Sequence, residues 1–328
     1  MLVSQLQNIK NNSNLYIKNH LTFEQQLEKL KFYGLIVSND AYAIKKLSHT
    51  NYYRLSAYYI PFQYPKESDT PNKFYDGIGF EHIVSLYDFD AKLRRLVFGA
   101  LEVIEVYIRT QIAYNHAQKY GAFGYLSHDT LTCSNDIFNK LILDIKEESK
   151  RSDEKFVEHF QDKYKTTDLP LWAVVEVLSF GTVSRLFAVL KSEERDVIAK
   201  SIGVNQKVLA QWLHSLTIVR NICAHHSRFW NKQLRIPFAV PSKNTYFESI
   251  KKIKKTKYKD GKSEEIEYEN NASVFFALSV IKFMFDCIGE EVDFINEVKQ
   301  LIAEHPIVDL NAMGFIDGWE KLDIWSDV

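Results

Sequence analysis

The chain has little of what would mark a small secreted protein or a membrane protein. Three cysteines among 328 residues (Cys133, Cys223 and Cys287) cannot build a disulfide framework, which fits a reducing compartment. Twelve glycines and seven prolines exclude collagen-like and low-complexity chains and leave few positions for tight turns. No run of about 18 apolar residues occurs, and the N-terminal MLVSQLQNIKNNSN lacks the apolar stretch of a signal peptide. A soluble cytoplasmic protein with no membrane partner is expected. Leu, Ile, Glu and Lys are abundant instead, so helices are favoured, and the chain is long enough for one large or two modest cores.

Charge of one sign is also missing: Lys and Arg number 41 against 42 Asp and Glu, a net of −1. That excludes a wholesale basic coat for nucleic acid. The balance is nevertheless uneven along the chain. From Lys243 to Lys262 eight lysines face Glu248 and Asp260, a local +6, while Asp286 onward carries eleven acids against Lys299 and Lys321, a local −9. Such segregation can hide a local phosphate-binding stripe.

The pattern predicts an all-α fold: a helical domain with an N-terminal helical extension and one charged insertion. Residues 1–79 form the extension, opening with a capping box at Thr22 and Gln25, a stop at Gly34 and a second cap at Asn39. An aromatic cluster follows at 51–64, then a loop to Gly79. Residues 80–243 form the main helical domain. Its first block repeats apolar residues every three or four positions from Leu86 to Ile112, and a break is expected near Asp88 or Gly99 because about 40 residues is long for one globular helix. Further helices are read at about 134–150 and 153–165, from Pro170 to a turn at Ser179–Gly181, and from Ser192. Residues 205–231 read as a second long helix. Residues 244–270 are the Lys/Glu-rich insertion, whose Asp260–Gly261 pair suits a hairpin, and 271–328 hold C-terminal helices packing on the main domain.

The segment RNICAHHSRFWN, 220–231, carries the strongest chemical signal. On a continuous helix, Arg220, Asn221, His225, Arg228 and Asn231 fall within about 140° of one another, and Cys223, Phe229 and Trp230 on the other half. An arginine fork can hold a phosphate or developing charge, and a histidine can move a proton near neutral pH. Asn221, one turn before His225, can orient the ring or the substrate. An RNA brings its own nucleophile, the 2′-hydroxyl, so no metal or other cofactor is needed. His226 gives an alternative spacing if the helix unwinds there. An ordinary solvated face would look the same by spacing alone.

RNICAHHSRFWN resembles the signature of the Abi family, abortive-infection proteins of the AbiD/AbiF type within the HEPN superfamily, whose mark is R-x4-6-H. NYYRLSAY, LYDFDAKLRRL, LEVIEVYIR, LPLWAVVEVLSFGTVSRLF and WLHSLTIVRNICAHHSRFWN resemble the family's blocks, in order. The resemblance implies a HEPN-like helical fold and a metal-independent endoribonuclease that acts as a toxin-like antiviral effector. It places Arg220 and His225 in the active positions and Asn221 in the polar one, with His226 as the alternate. It also implies a homodimer that brings two such motifs into one cleft, RNA as substrate, and a structured non-coding RNA as a regulatory partner. A non-catalytic RNA-binding module and a protein–protein immunity component are the rival readings.

Other residues carry weaker signals. Arg109 and His116 form R-x6-H on one helix face; the plainer reading pairs Arg109 with Glu105 one turn earlier. Glu102 and Glu105 could instead line the cleft and steer Arg220. Cys223, His225 and His226 diverge on a helix and lack a fourth ligand, which disfavours zinc and a Cys–His nucleophile alike. Arg228, Asn231 and the lysines Lys251, Lys252, Lys254 and Lys255 are candidates for contacts along an RNA backbone.

Overall fold

A computed structural model describes residues 20–66, 68–242, 244–259, 262–289 and 293–326. The described chain is helical apart from one two-stranded sheet. It divides into two compact units, one ending at Tyr87 and the other beginning at Asp88.

In the first unit, α1 (Phe23–Phe32) and α2 (Asp40–His49) start where the sequence places caps, and the aromatic segment adds a helix not read from the sequence, α3 (Tyr52–Tyr59). Thr22 and Gln25 form the reciprocal capping box, and Asn39 and Asn51 accept from the first-turn amides of Tyr42 and Tyr53. Gly34 follows α1 with φ +92°, the left-handed region that a β-carbon penalises. Tyr58 and Tyr59 are buried, so the aromatic run at 51–64 is in part core.

The long helix α4 (Phe80–Tyr120) runs 41 residues without the expected break. Asp88 and Gly99 both lie inside it. The reason is tertiary: Leu86, Phe89, Leu93, Val97, Leu101, Ile104, Ile108 and Ile112 are all buried on one stripe. Burying each such side chain contributes about 1.5–3 kcal/mol, against about 1 kcal/mol for one interior glycine.

The remainder of the second unit comprises α5 (Asn135–Lys150), α6 (Lys155–Tyr164), α7 (Leu171–Val177), α8 (Phe180–Val189), α9 (Ser192–Ser201) and α10 (Gln206–Ala224). After them come α11 (Thr245–Ile250), β1 (Lys252–Lys259), β2 (Lys262–Glu269), α12 (Val274–Ile288), α13 (Phe294–Glu304) and α14 (Leu310–Met313). Helix α10 packs on α8, α9 and α12, and its buried Trp212 donates its indole N–H to the Ala239 carbonyl at 2.8 Å.

The insertion is an antiparallel hairpin with Lys252 opposite Glu269 and Lys254 opposite Glu267. The expected turn residues Asp260 and Gly261 lie outside the described residues, as does the N-terminal segment 1–19. The hairpin's base is tied down by buried Asn270, whose side chain donates to the Ile250 and Gly314 carbonyls. Among the described residues, no helix is long and apolar enough to cross a membrane.

Candidate functional site

Helix α10 ends earlier than its sequence suggests. The expected helix to Asn231 stops at Ala224, with His225 as C-cap and His226 left-handed at φ +54°. Two hydrogen bonds close the end: Ser227 N–H to Ile222 O at 3.0 Å and His226 N–H to Cys223 O at 3.1 Å. This is the Schellman arrangement, in which the left-handed position is usually glycine. Arg220 and Asn221 therefore sit on the last turn, and His225 and His226 on the cap, all outside the core: Asn221 and both histidines are exposed, and the Arg220 side chain is one-third exposed.

Arg228 and Asn231 lie beyond the helix, so their wheel positions do not apply. Arg228 is half-buried; Asn231 is too, with its side-chain oxygen buried and unbonded. Phe229 and Trp230, which follow the turn, are buried in the core.

One stripe of α4 holds the Arg220 end. Glu105 stands between two arginines: Oε1 accepts from Arg109 Nη2, and Oε2 lies 3.8 Å from Arg220 Nε. The Phe98 ring centroid is 5.8 Å from the Arg220 guanidinium, a cation–π distance. Arg109 also donates to the Val175 and Leu178 carbonyls at the C-terminal end of α7, so it anchors Glu105 rather than facing outward. Together Phe98, Glu102, Glu105, Arg109, Glu176 and Arg220 line a cleft of about 270 Å³. Beside it, and sharing Glu176, is an apolar groove of about 510 Å³ between exposed Tyr114 and Trp172.

The Arg109–His116 pair takes a different form from the one expected of a site. His116 is wholly buried, with Nδ1 2.8 Å from Glu194 Oε1, while Arg109 is spent on Glu105 and two carbonyls. The two side chains do not share a partner. Cys223 points into the core, and burial together with the negative charge of Asp90 pushes its thiol up to about 12, so it is a neutral thiol at pH 7. Among the described residues no three His, Cys, Asp or Glu side chains group as a metal site would require.

The insertion's lysines meet carboxylates. Lys251 pairs with Glu248, Lys252 with Glu267 at 2.6 Å, and Lys254 with Glu265 at 3.8 Å. The Lys255 side chain lies outside the described residues.

Spacing alone misses three residues at the site: Asp90, Phe98 and Glu176. A signal for Asp90 is present in the sequence, an acid and Arg94 four residues apart within an apolar row, which reads as a buried pair.

The order of blocks, the R-x4-H end of α10 and the helical fold agree with one class of protein. A family model described as Abi-like protein matches residues 45–231, more than half of the chain and the whole of the stretch that builds this site. The chain belongs to the Abi-like protein family. No curated protein and no solved structure matches it.

Proposed function

We propose that this Abi-like chain is a HEPN-type, metal-independent endoribonuclease acting in abortive infection, in which a damaging enzyme is held in check until a virus triggers it. The observation that carries the reading is the end of α10: an Arg220 that lines a cleft and is held by Glu105 and the Phe98 ring, with the exposed His225 five residues on at the helix's C-cap. Fixing a guanidinium in advance lowers the reorganisation needed when charge develops on a phosphorane. In the reaction the 2′-hydroxyl attacks the adjacent phosphorus and the 5′-oxygen leaves, giving a 2′,3′-cyclic phosphate and a 5′-hydroxyl. His225 serves proton transfer, Arg220 the phosphorane charge, and Asn221 the orientation of ring or substrate.

A single chain offers one Arg220 and one His225. A homodimer would set two such ends in one cleft across a two-fold axis, as closed symmetric assemblies do. The exposed apolar row on this side of the molecule, Phe98, Val106 and Tyr114 on α4 with Trp172 on α7, is the surface such a partner copy would cover. RNA is the proposed substrate and a structured RNA the proposed regulator. The carboxylate-paired lysines of the insertion have a smaller part in holding either.

The test is cleavage of RNA in EDTA by the wild type and by His225→Ala. Activity that disappears on chelation and returns with added metal would point to another mechanism.

A further inference from the structure

Nothing in the sequence from Ala224 to Asn231 forces a helix to stop: it contains neither glycine nor proline. The chain nonetheless leaves α10 through a left-handed histidine, a conformation L residues rarely adopt. Besides its own two closing bonds, the turn has a contact from elsewhere in the chain. It comes from Asp90, wholly buried on α4 and 139 residues from Phe229 in sequence. Its carboxylate accepts from the Trp230 amide at 2.8 Å and the Phe229 amide at 3.2 Å. The Arg94 guanidinium, one turn along, bonds the same carboxylate and keeps its charge paired.

The consequence is geometric. Continuing α10 would carry Phe229 and Trp230 onward along the helix axis. With their amides held at Asp90, both rings are buried and the chain leaves the helix after His225, with the two histidines exposed. The influence of Asp90 on Arg220 and His225 thus runs through the backbone of the turn.

We propose that Asp90 is the positioning residue of the Arg220–His225 site, its carboxylate clamping the turn that presents the histidines. The proposal rests on the ribonuclease reading for its kinetic consequence, and on geometry alone for its structural one.

Two readouts separate the two. In full-length protein, Asp90→Asn keeps the side chain's shape but replaces one acceptor oxygen with a donor facing the amides. Hydrogen exchange at the Phe229 and Trp230 amides should quicken by about a hundredfold or more while mid-α10 amides keep their protection. With RNA, kcat should fall at least about tenfold with KM within about threefold, since misplaced groups cost turnover more than binding. Should Asp90→Asn fold poorly, Asp90→Asn with His226→Gly is the second variant. Glycine removes the left-handed penalty, so this pair should regain part of the protection at Phe229 and Trp230.

Unchanged exchange at those two amides in Asp90→Asn overturns the clamp. Quickened exchange with unchanged kcat overturns its role in positioning. If the wild type does not cleave RNA, the ribonuclease reading fails, while the clamp is still judged by exchange and by the rate at which diethylpyrocarbonate modifies His225 and His226. Equal modification in wild type and Asp90→Asn would end it.

Discussion

At the scale of single residues, the two adjacent histidines differ in what each requires of the backbone. His225 caps α10 at φ −87°, an ordinary conformation, whereas His226 holds φ +54°. A left-handed non-glycine residue costs about 1 kcal/mol, so His226→Gly is expected to raise stability by up to about that amount in urea denaturation. With His225 as the proton-transfer group, the same variant retains cleavage; loss of cleavage would assign the role to His226. His225→Ala, in contrast, should abolish cleavage yet leave RNA affinity within about threefold, because the fixed charge of Arg220 rather than the imidazole supplies the attraction for phosphate. Arg220→Ala should cost both. Filter binding and cleavage assays on the three variants separate these outcomes.

Cys223 gives a pH-dependent prediction at the same scale. Its thiol is pushed up to about 12 by burial first and by Asp90 second, whereas an unfolded cysteine ionises near 8.5. Above that lower value the unfolded state loses its proton and the folded state keeps it, so stability is intact below about pH 8.5 and drains away towards pH 12. At pH 10.5 this amounts to about 3 kcal/mol. Denaturation curves at pH 8 and pH 10.5 should show a larger loss for wild type than for Cys223→Ala. Equal losses would mean the thiol is better solvated than its burial implies.

At the scale of elements, what is legible in the sequence is what neighbouring residues decide. Thr22, Asn39 and Ser273 cap the helices that follow them because each bond spans only three positions. The hairpin is readable from its alternation and turn pair. The end of α10 is not, because Asp90 lies on another helix far back in the chain and local propensity runs on through Ser227. The unbroken α4 departs from the local reading for the opposite reason, as packing outweighs a local glycine cost. Gly99 is exposed, and a β-carbon there would meet nothing within 4 Å, so Gly99→Ala should add about 0.5–1 kcal/mol. A urea midpoint that falls would show the helix needs flexibility at that point. The lysine stripe is legible as charge, but its cross-strand carboxylates become visible only with the register. Replacing Lys252 and Lys254 with alanine should therefore change the salt dependence of RNA binding by well under one unit of slope per lysine. A full unit each would show that both contact phosphate.

At the scale of the whole molecule, the family and the helical class are legible from ordered blocks spread over 45–231. The proposed partner surface is not, because exposure is a property of packing: Tyr114 and Trp172 are 65% and 55% exposed in the fold. If a second copy covers them, sedimentation at micromolar concentration should give a dimer, and Tyr114→Glu with Trp172→Glu should yield monomers with reduced cleavage. Monomeric wild type with full activity would locate the complete site within one chain.

Arg220 and His225 are proposed to cut RNA through its own 2′-hydroxyl. The most direct measurement incubates the protein in EDTA with a labelled RNA and with its counterpart carrying a 2′-deoxy sugar at the mapped cleavage position, and identifies the new ends. Cleavage of the first only is expected, with a 2′,3′-cyclic phosphate and a 5′-hydroxyl, and none by His225→Ala. Cleavage of the deoxy substrate, or undiminished cleavage by both His225→Ala and His226→Ala, would contradict it.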